Sequence, residues 1–179
     1  MGQIIFVTGG ASSGKSNFAE TSILKDIHDS NKIAYIATGE RLDEKFNSRI
    51  DKHQKSRHSR FITIEEPLNI ASAVKDTFKS YKIGLLECIT TWLGNVFFHI
   101  KPEEQEKFCR NELDLLFESI LSEDNYVLWI VSNEIGLGMV PMDTESRRFR
   151  DIHGRINQKI AHLSSEVYFI VSGMAVIVK

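Results

Sequence analysis

The 179-residue sequence predicts a three-layer α/β fold with a mainly parallel sheet that ends in an antiparallel hairpin. Three observations predict it. Short apolar runs alternate with longer amphipathic stretches, the pattern of strands joined by crossover helices. Between the first such run, Ile4-Ile5-Phe6-Val7, and the first helical pattern lies Gly9-Gly10-Ala11-Ser12-Ser13-Gly14-Lys15-Ser16, which fits G-x-x-x-x-G-K-[ST]. The last two apolar runs, 166–171 and 174–178, are separated only by Ser172-Gly173, which suits a hairpin turn.

The glycine-rich stretch brings phosphate chemistry with it. Such a loop wraps an anion with backbone N–H groups, and the following helix adds the positive end of its dipole. Lys15 is placed to reach the outer phosphates of a nucleotide, and Ser16 to hold a magnesium ion through its hydroxyl. Ile83-Gly84-Leu85-Leu86-Glu87 is a short apolar strand ending in a carboxylate, the form of a Walker B element that holds magnesium directly or through water. Together these predict a P-loop NTPase. They do not separate a small-molecule kinase from a nucleotide-driven switch or motor, because a phosphate loop does not name the acceptor.

Bulk composition narrows the class. The length suits one domain spanning residues 1–179. With 22 basic and 24 acidic residues and no block of like charge, neither a nucleic-acid nor a membrane surface is expected. Cys88 and Cys109 lack metal-type spacing, so buried, reduced thiols and no zinc site are expected. No run reaches the ~18 apolar residues of a membrane span, and the chain opens on a strand rather than a charged and apolar leader. Cytoplasm is the expected location.

Along the chain, residues 15–29 read as a helix and 32–38 as a second strand followed by a turn at Gly39. Residues 43–57 read as a helix whose Leu42, Phe46, Arg49, Ile50, His53 and Arg57 share about a third of the circumference. His53 therefore faces inward. An inward histidine is ordinarily a hydrogen-bonded core residue, but flanking guanidiniums suit a site that holds phosphate better than an apolar core. Residues 60–65 read as a third strand. Pro67 suits the first turn of a helix running to about Ser80, with Glu65 and Glu66 at its positive end. Thr90-Thr91-Trp92-Leu93-Gly94-Asn95 suits either a substrate-facing turn or a helix capped by the threonines. Residues 103–121 form an amphipathic helix. The buried strand 126–132 then leads into Asn133-Glu134-Ile135-Gly136-Leu137-Gly138, a glycine-bearing loop at the expected ligand edge. Asp143 can cap the last helix, whose Arg147 and Arg155 each lie four residues from Asp151, a spacing for exposed ion pairs.

An ordered set of short motifs goes further: Val7-Thr8-Gly9-Gly10 with Ser13-Gly14-Lys15-Ser16, Tyr35-Ile36-Ala37-Thr38, Arg49-Ile50 with His53 and Arg57, and Leu85-Leu86-Glu87-Cys88-Ile89-Thr90-Thr91. It continues through Asn133-Glu134, Val140-Pro141, Phe149-Arg150-Asp151, Asn157-Gln158 and Val171-Ser172-Gly173. With these motifs the chain resembles, over nearly its whole length, the bifunctional adenosylcobinamide kinase / adenosylcobinamide-phosphate guanylyltransferases of cobalamin biosynthesis. The resemblance implies a RecA-like P-loop fold, homotrimeric assembly and two reactions at one nucleotide site. ATP or GTP first phosphorylates the hydroxyl of the aminopropanol arm of adenosylcobinamide. GTP then guanylylates a histidine, which passes GMP to the phosphorylated corrinoid. By motif that histidine is His53, with Lys15 as the other catalytic residue. The implied nucleotide contacts are Gly9, Gly10, Ala11, Ser12, Ser13, Gly14, Lys15, Ser16, Ala37, Thr38, Gly39, Gln54, Lys55, Ser56, Arg57, Glu65 and Glu87, with Mg2+ on Ser16 and Glu87. Ser12, His58 and Phe61 stand where the family more often has arginine, proline and tryptophan. One cradle presenting first a γ- and then an α-phosphate is expected to need either two binding poses or a movement of the 43–57 helix, and the movement is the preferred expectation.

Overall fold

A computed structural model describes residues 1–26, 32–40 and 57–179. Its elements run β1 (Gln3–Gly9), α1 (Lys15–Asp26), β2 (Ile33–Ala37), β3 (Phe61–Glu65), α2 (Ile70–Thr77), β4 (Ile83–Glu87), α3 (Ile89–His99), α4 (Pro102–Ser122), β5 (Val127–Asn133), α5 (Thr144–Leu163), β6 (Glu166–Val171) and β7 (Met174–Ile177). Seven strands form one sheet in the order β3-β2-β4-β5-β1-β6-β7, parallel except for the β6–β7 hairpin. The predicted α/β class and its closing hairpin are both present.

Strand alternation sorts the apolar residues onto the two faces of the sheet. Ile4, Phe6, Ala34, Ile36, Leu86, Leu128 and Ile130 pack on one side with residues of α2, α3, α4 and α5. Ile5, Val7, Ile33, Tyr35, Leu85, Trp129 and Val131 face the other side, where Ala19 and Ile23 of α1 cover them. Nearly continuous apolar strands follow from this burial on both faces. Gly84 has a specific packing reason, because a Cβ there would run into the Tyr126 hydroxyl, which sits 2.6 Å from Thr77 Oγ1 in the core.

Register then sets the functional edge. Gly9 pairs with Asn133, Ala37 with Glu87, and Glu87 with Val131, so the carboxyl ends of β1, β2, β4 and β5 open on the same side. This is where a doubly wound sheet binds ligands.

Local readings needed correction in four places. Pro67 lies outside α2, which starts only at Ile70. The Glu66 carboxylate accepts from the N–H groups of Leu68 and Asn69, and these bonds hold a turn where a first helical turn was expected. Neither Thr90 nor Thr91 caps α3; Cys88 occupies that position and its sulfur accepts from Thr91 N–H at 3.4 Å. Arg155 pairs with Glu106 of α4, and Arg147 holds the carbonyls of Pro141 and Met142, so the inter-helix and loop contacts prevail over the expected Asp151 pairs. Cys109 is buried as expected, but Cys88 is only half-buried. Asp143 does cap α5, accepting from Ser146 N–H at 2.7 Å.

Candidate active site

The phosphate loop leaves β1 at the open edge and turns into α1 at Lys15. Gly14 has φ 98°, a conformation that needs no Cβ. Ser12 also adopts positive φ, at 55°. The loop is braced on both flanks: Glu134 N–H donates to Gly9 O at 2.7 Å, and Gly173 N–H donates to Ser13 O at 2.9 Å. The second brace explains the Val171-Ser172-Gly173 motif. Ser172 (φ 51°) and Gly173 (φ 82°) both have positive φ, as a tight hairpin turn of that twist requires, and the turn abuts the loop.

Lys15 is buried, with its ammonium turned into the loop 2.5 Å from Gly10 O and 3.5 Å from Ser13 Oγ. Burial pulls its pKa down, and the neighbouring Cys88 and Glu87 charges oppose that. Ser16 hydroxyl donates a short hydrogen bond to Glu87 Oε1, and Tyr35 hydroxyl donates to Oε2 at 2.7 Å. The β4 carboxylate thus joins α1 to β2. Bonds of this kind to a charged acceptor contribute roughly 1.5–3 kcal/mol each. Desolvation, followed by the Glu87 charge, raises the Tyr35 pKa well above its ordinary value, so the phenol stays a donor.

Arg57 reaches into the same cleft. Its guanidinium lies 3.4 Å from the centroid of the Tyr35 ring, Nη1 donates to Thr63 Oγ1 at 2.9 Å, and Nε is buried without a hydrogen-bond partner among the described residues. Stacking on the ring fixes the plane of the charge. Glu20, one turn past Ser16 on α1, also lines the cleft, and desolvation and the Glu87 charge raise its pKa while Arg57 opposes them. A cavity of roughly 700 Å³ joins these groups to Ser12, Ser13, Gly14, Ala37, Gly39, Glu65 and Asn133, a size that suits a small-molecule ligand.

Other predicted positions fare differently. Thr38 is fully buried, with its hydroxyl donating to Cys88 O and accepting from Cys88 N–H, so its side chain ties β2 to β4. Gly9 ends β1, and Gly10 and Ala11 belong to the loop itself. His53, Gln54, Lys55 and Ser56, with Arg49 and most of the 43–57 segment, lie outside the described residues.

The sequence reading missed Glu20, the Tyr35–Glu87 contact and a buried polar cluster behind the cleft. In that cluster His153 Nε2 lies 2.9 Å from Thr90 Oγ1 and 3.2 Å from Ser132 Oγ, Ser132 Oγ donates to Asn157 Oδ1 at 2.8 Å, and Asn157 Nδ2 donates to Asn133 O at 3.0 Å. Thr90 Oγ1 in turn accepts from Asn133 N–H, so α5 and α3 together hold the end of β5. Burial pushes the His153 imidazole down to about 4, which keeps it neutral. Thr90, Asn133 and Asn157 stand in the quoted motifs, and the i, i+4 placement of His153 and Asn157 is the spacing signal that could have joined them.

A family model described as cobinamide kinase / cobinamide phosphate guanyltransferase matches residues 5–178. The chain belongs to that family. Relatives include the bifunctional adenosylcobalamin biosynthesis protein CobU of Escherichia coli strain K12, 35% identical with 98% of this chain and 99% of the relative covered. CobU of Salmonella typhimurium shows the same identity and coverage. CobP of Pseudomonas aeruginosa is 33% identical, with 94% of this chain and 92% of the relative covered. Among solved structures, the flagellar accessory protein FlaH of Methanocaldococcus jannaschii superposes with a TM-score of 0.51 at 13% identity, covering 99% of this chain and 78% of its own. The KaiC-like protein PH0186 of Pyrococcus horikoshii gives 0.52 at 12% identity, covering 93% of this chain and 70% of its own. At such identities these likenesses carry the RecA-like P-loop fold alone.

Proposed function

We propose that this chain phosphorylates adenosylcobinamide and then transfers GMP from GTP to the phosphorylated corrinoid through a guanylyl group on His53. The observation that carries the proposal is the convergence of Lys15, Ser16 and Glu87 in one cleft at the edge of the sheet, in a chain that matches this family over residues 5–178.

In the kinase step, loop N–H groups and the Lys15 ammonium bind the phosphates and spread the charge that develops on the transferred group. Ser16 hydroxyl and Glu87 carboxylate are adjacent hard oxygen donors, which fits magnesium held by few protein groups plus phosphate oxygens. Magnesium there would neutralise charge between the phosphates. Arg57, fixed on Tyr35, supplies a further cation to phosphate oxygens.

For guanylylation, a neutral His53 imidazole uses one nitrogen lone pair to attack the α-phosphorus of GTP. A P–N bond forms, the P–O bond to pyrophosphate breaks, and pyrophosphate leaves with the electron pair. An oxygen of the corrinoid phosphate next attacks the same phosphorus. The P–N bond breaks, and the imidazole departs neutral because its other nitrogen has kept its hydrogen. Homotrimeric assembly belongs to the same reading.

Product analysis tests it. With adenosylcobinamide, ATP, GTP and magnesium, the protein should yield adenosylcobinamide-GDP, and with ATP alone only the phosphate. Phosphate without the GDP product, when both nucleotides are present, would reduce the assignment to a kinase.

A further inference from the structure

A second cavity of roughly 370 Å³ lies where α3, α5 and the 134–142 loop meet, walled by Phe97, Ile135, Met139, Pro141 and Phe149. Glu145, Ser146 and Arg150 complete the lining, with Arg150 its one cation. Arg150 Nη1 is buried and has no hydrogen-bond partner among the described residues, and no ion pair is found for Arg150 there either. A desolvated guanidinium edge without an acceptor is costly, and no described residue supplies one, which leaves this edge suited to an acceptor brought by a ligand.

The place of Arg150 ties it to the nucleotide cleft. It lies one turn before His153 and two before Asn157 on α5, and those two residues hold Ser132, Asn133 and Thr90. Asn133 lines the nucleotide cleft, and the loop that walls the second cavity starts from it. The Phe149 ring, next to Arg150, packs edge-on against Phe97 at 5.0 Å, which fixes that wall. Largely apolar walls that carry one guanidinium fork, beside Glu145 and Ser146, suit a ligand with an apolar body and a doubly accepting anion, and a phosphate monoester is the best match for the fork.

Building on the proposed function, we infer that the cavity is the acceptor subsite of the guanylyl-transfer step, where Arg150 binds the phosphate monoester of the phosphorylated corrinoid. The unphosphorylated corrinoid offers that fork only a hydroxyl. Arg150 therefore distinguishes the product of the kinase step from its substrate and acts as a specificity residue for the second step alone.

Arg150→Ala and Arg150→Lys should be compared with the unaltered protein in three assays: phosphorylation of adenosylcobinamide, self-guanylylation by GTP, and GMP transfer to adenosylcobinamide phosphate. The expected result is a KM for adenosylcobinamide phosphate raised at least about tenfold in Arg150→Ala, with partial recovery in Arg150→Lys, and the other two reactions within about twofold of the unaltered protein. An unchanged KM for the phosphorylated acceptor overturns the inference. So does an equal fall in all three reactions, or a changed assembly state by sedimentation, since either makes Arg150 a structural or interface residue. Absence of self-guanylylation in the unaltered protein would instead refute the proposed function, so the two failures are separable.

Discussion

Acidification should remove stability through one residue, His153, and the size of the effect follows from its surroundings. The imidazole faces Thr90, Ser132, Asn157 and the Phe149 ring, none of which can compensate a positive charge. Desolvation sets its folded pKa at about 4, against 6.5 when exposed. Between these values the unfolded chain binds the proton and the folded chain does not, so stability rises with pH. The contribution is complete above pH 6.5 and is lost as pH falls towards about 4. At about 1.36 kcal/mol for each pH unit of separation, roughly 3 kcal/mol is withdrawn, a large share of a typical domain's stability. Urea unfolding at a series of pH values, with His153→Gln as the comparator, isolates this from general carboxylate titration. Glutamine can still bond Thr90 and Ser132 but binds no proton. The gap between the two proteins should change by about 3 kcal/mol across the window at constant m-value. Parallel pH curves would show that His153 is not held neutral by burial.

Two further substitutions probe the site and its foundation. Glu87→Gln keeps a side chain able to bond Ser16 and Tyr35 but loses the charge, so the magnesium concentration for half-maximal kinase activity should rise roughly 10–100-fold, as read from an activity titration. Gly84→Ala drives a Cβ into the Tyr126 hydroxyl and displaces its bond to Thr77, which should cost about 1–3 kcal/mol in denaturant unfolding with no change in nucleotide affinity once folded.

The sheet was legible because its strands are apolar runs of strand length bounded by turn residues, and the phosphate loop announced which edge would bind. Ser172-Gly173 likewise marked the hairpin, since only a turn tolerant of positive φ joins two such runs. What sequence did not carry was contact between elements. Tyr35 meets Glu87 only because β2 and β4 are neighbours, although 52 positions separate the two residues. Glu20 joins them because α1 lies over that same end of the sheet. Pro67 suggested an early helix start, and nothing in its spacing foretold that the Glu66 carboxylate would take the neighbouring N–H groups. The motif that names Thr38 likewise did not reveal that its hydroxyl ties to the Cys88 backbone, 50 positions away. The buried arginine edge at Arg150 was hidden in a helix whose charges read as a solvated surface, because periodicity ranks residues by face and does not reveal a missing partner.

The proposed chemistry depends most on a covalent guanylyl group at His53. Incubation with GTP labelled at the α-phosphate, followed by denaturing electrophoresis, should give a band of labelled protein that is acid-labile and alkali-stable, as a phosphoramidate is. The band should be absent from His53→Ala and should disappear from the unaltered protein when adenosylcobinamide phosphate is added. Label that persists in His53→Ala would contradict the assignment.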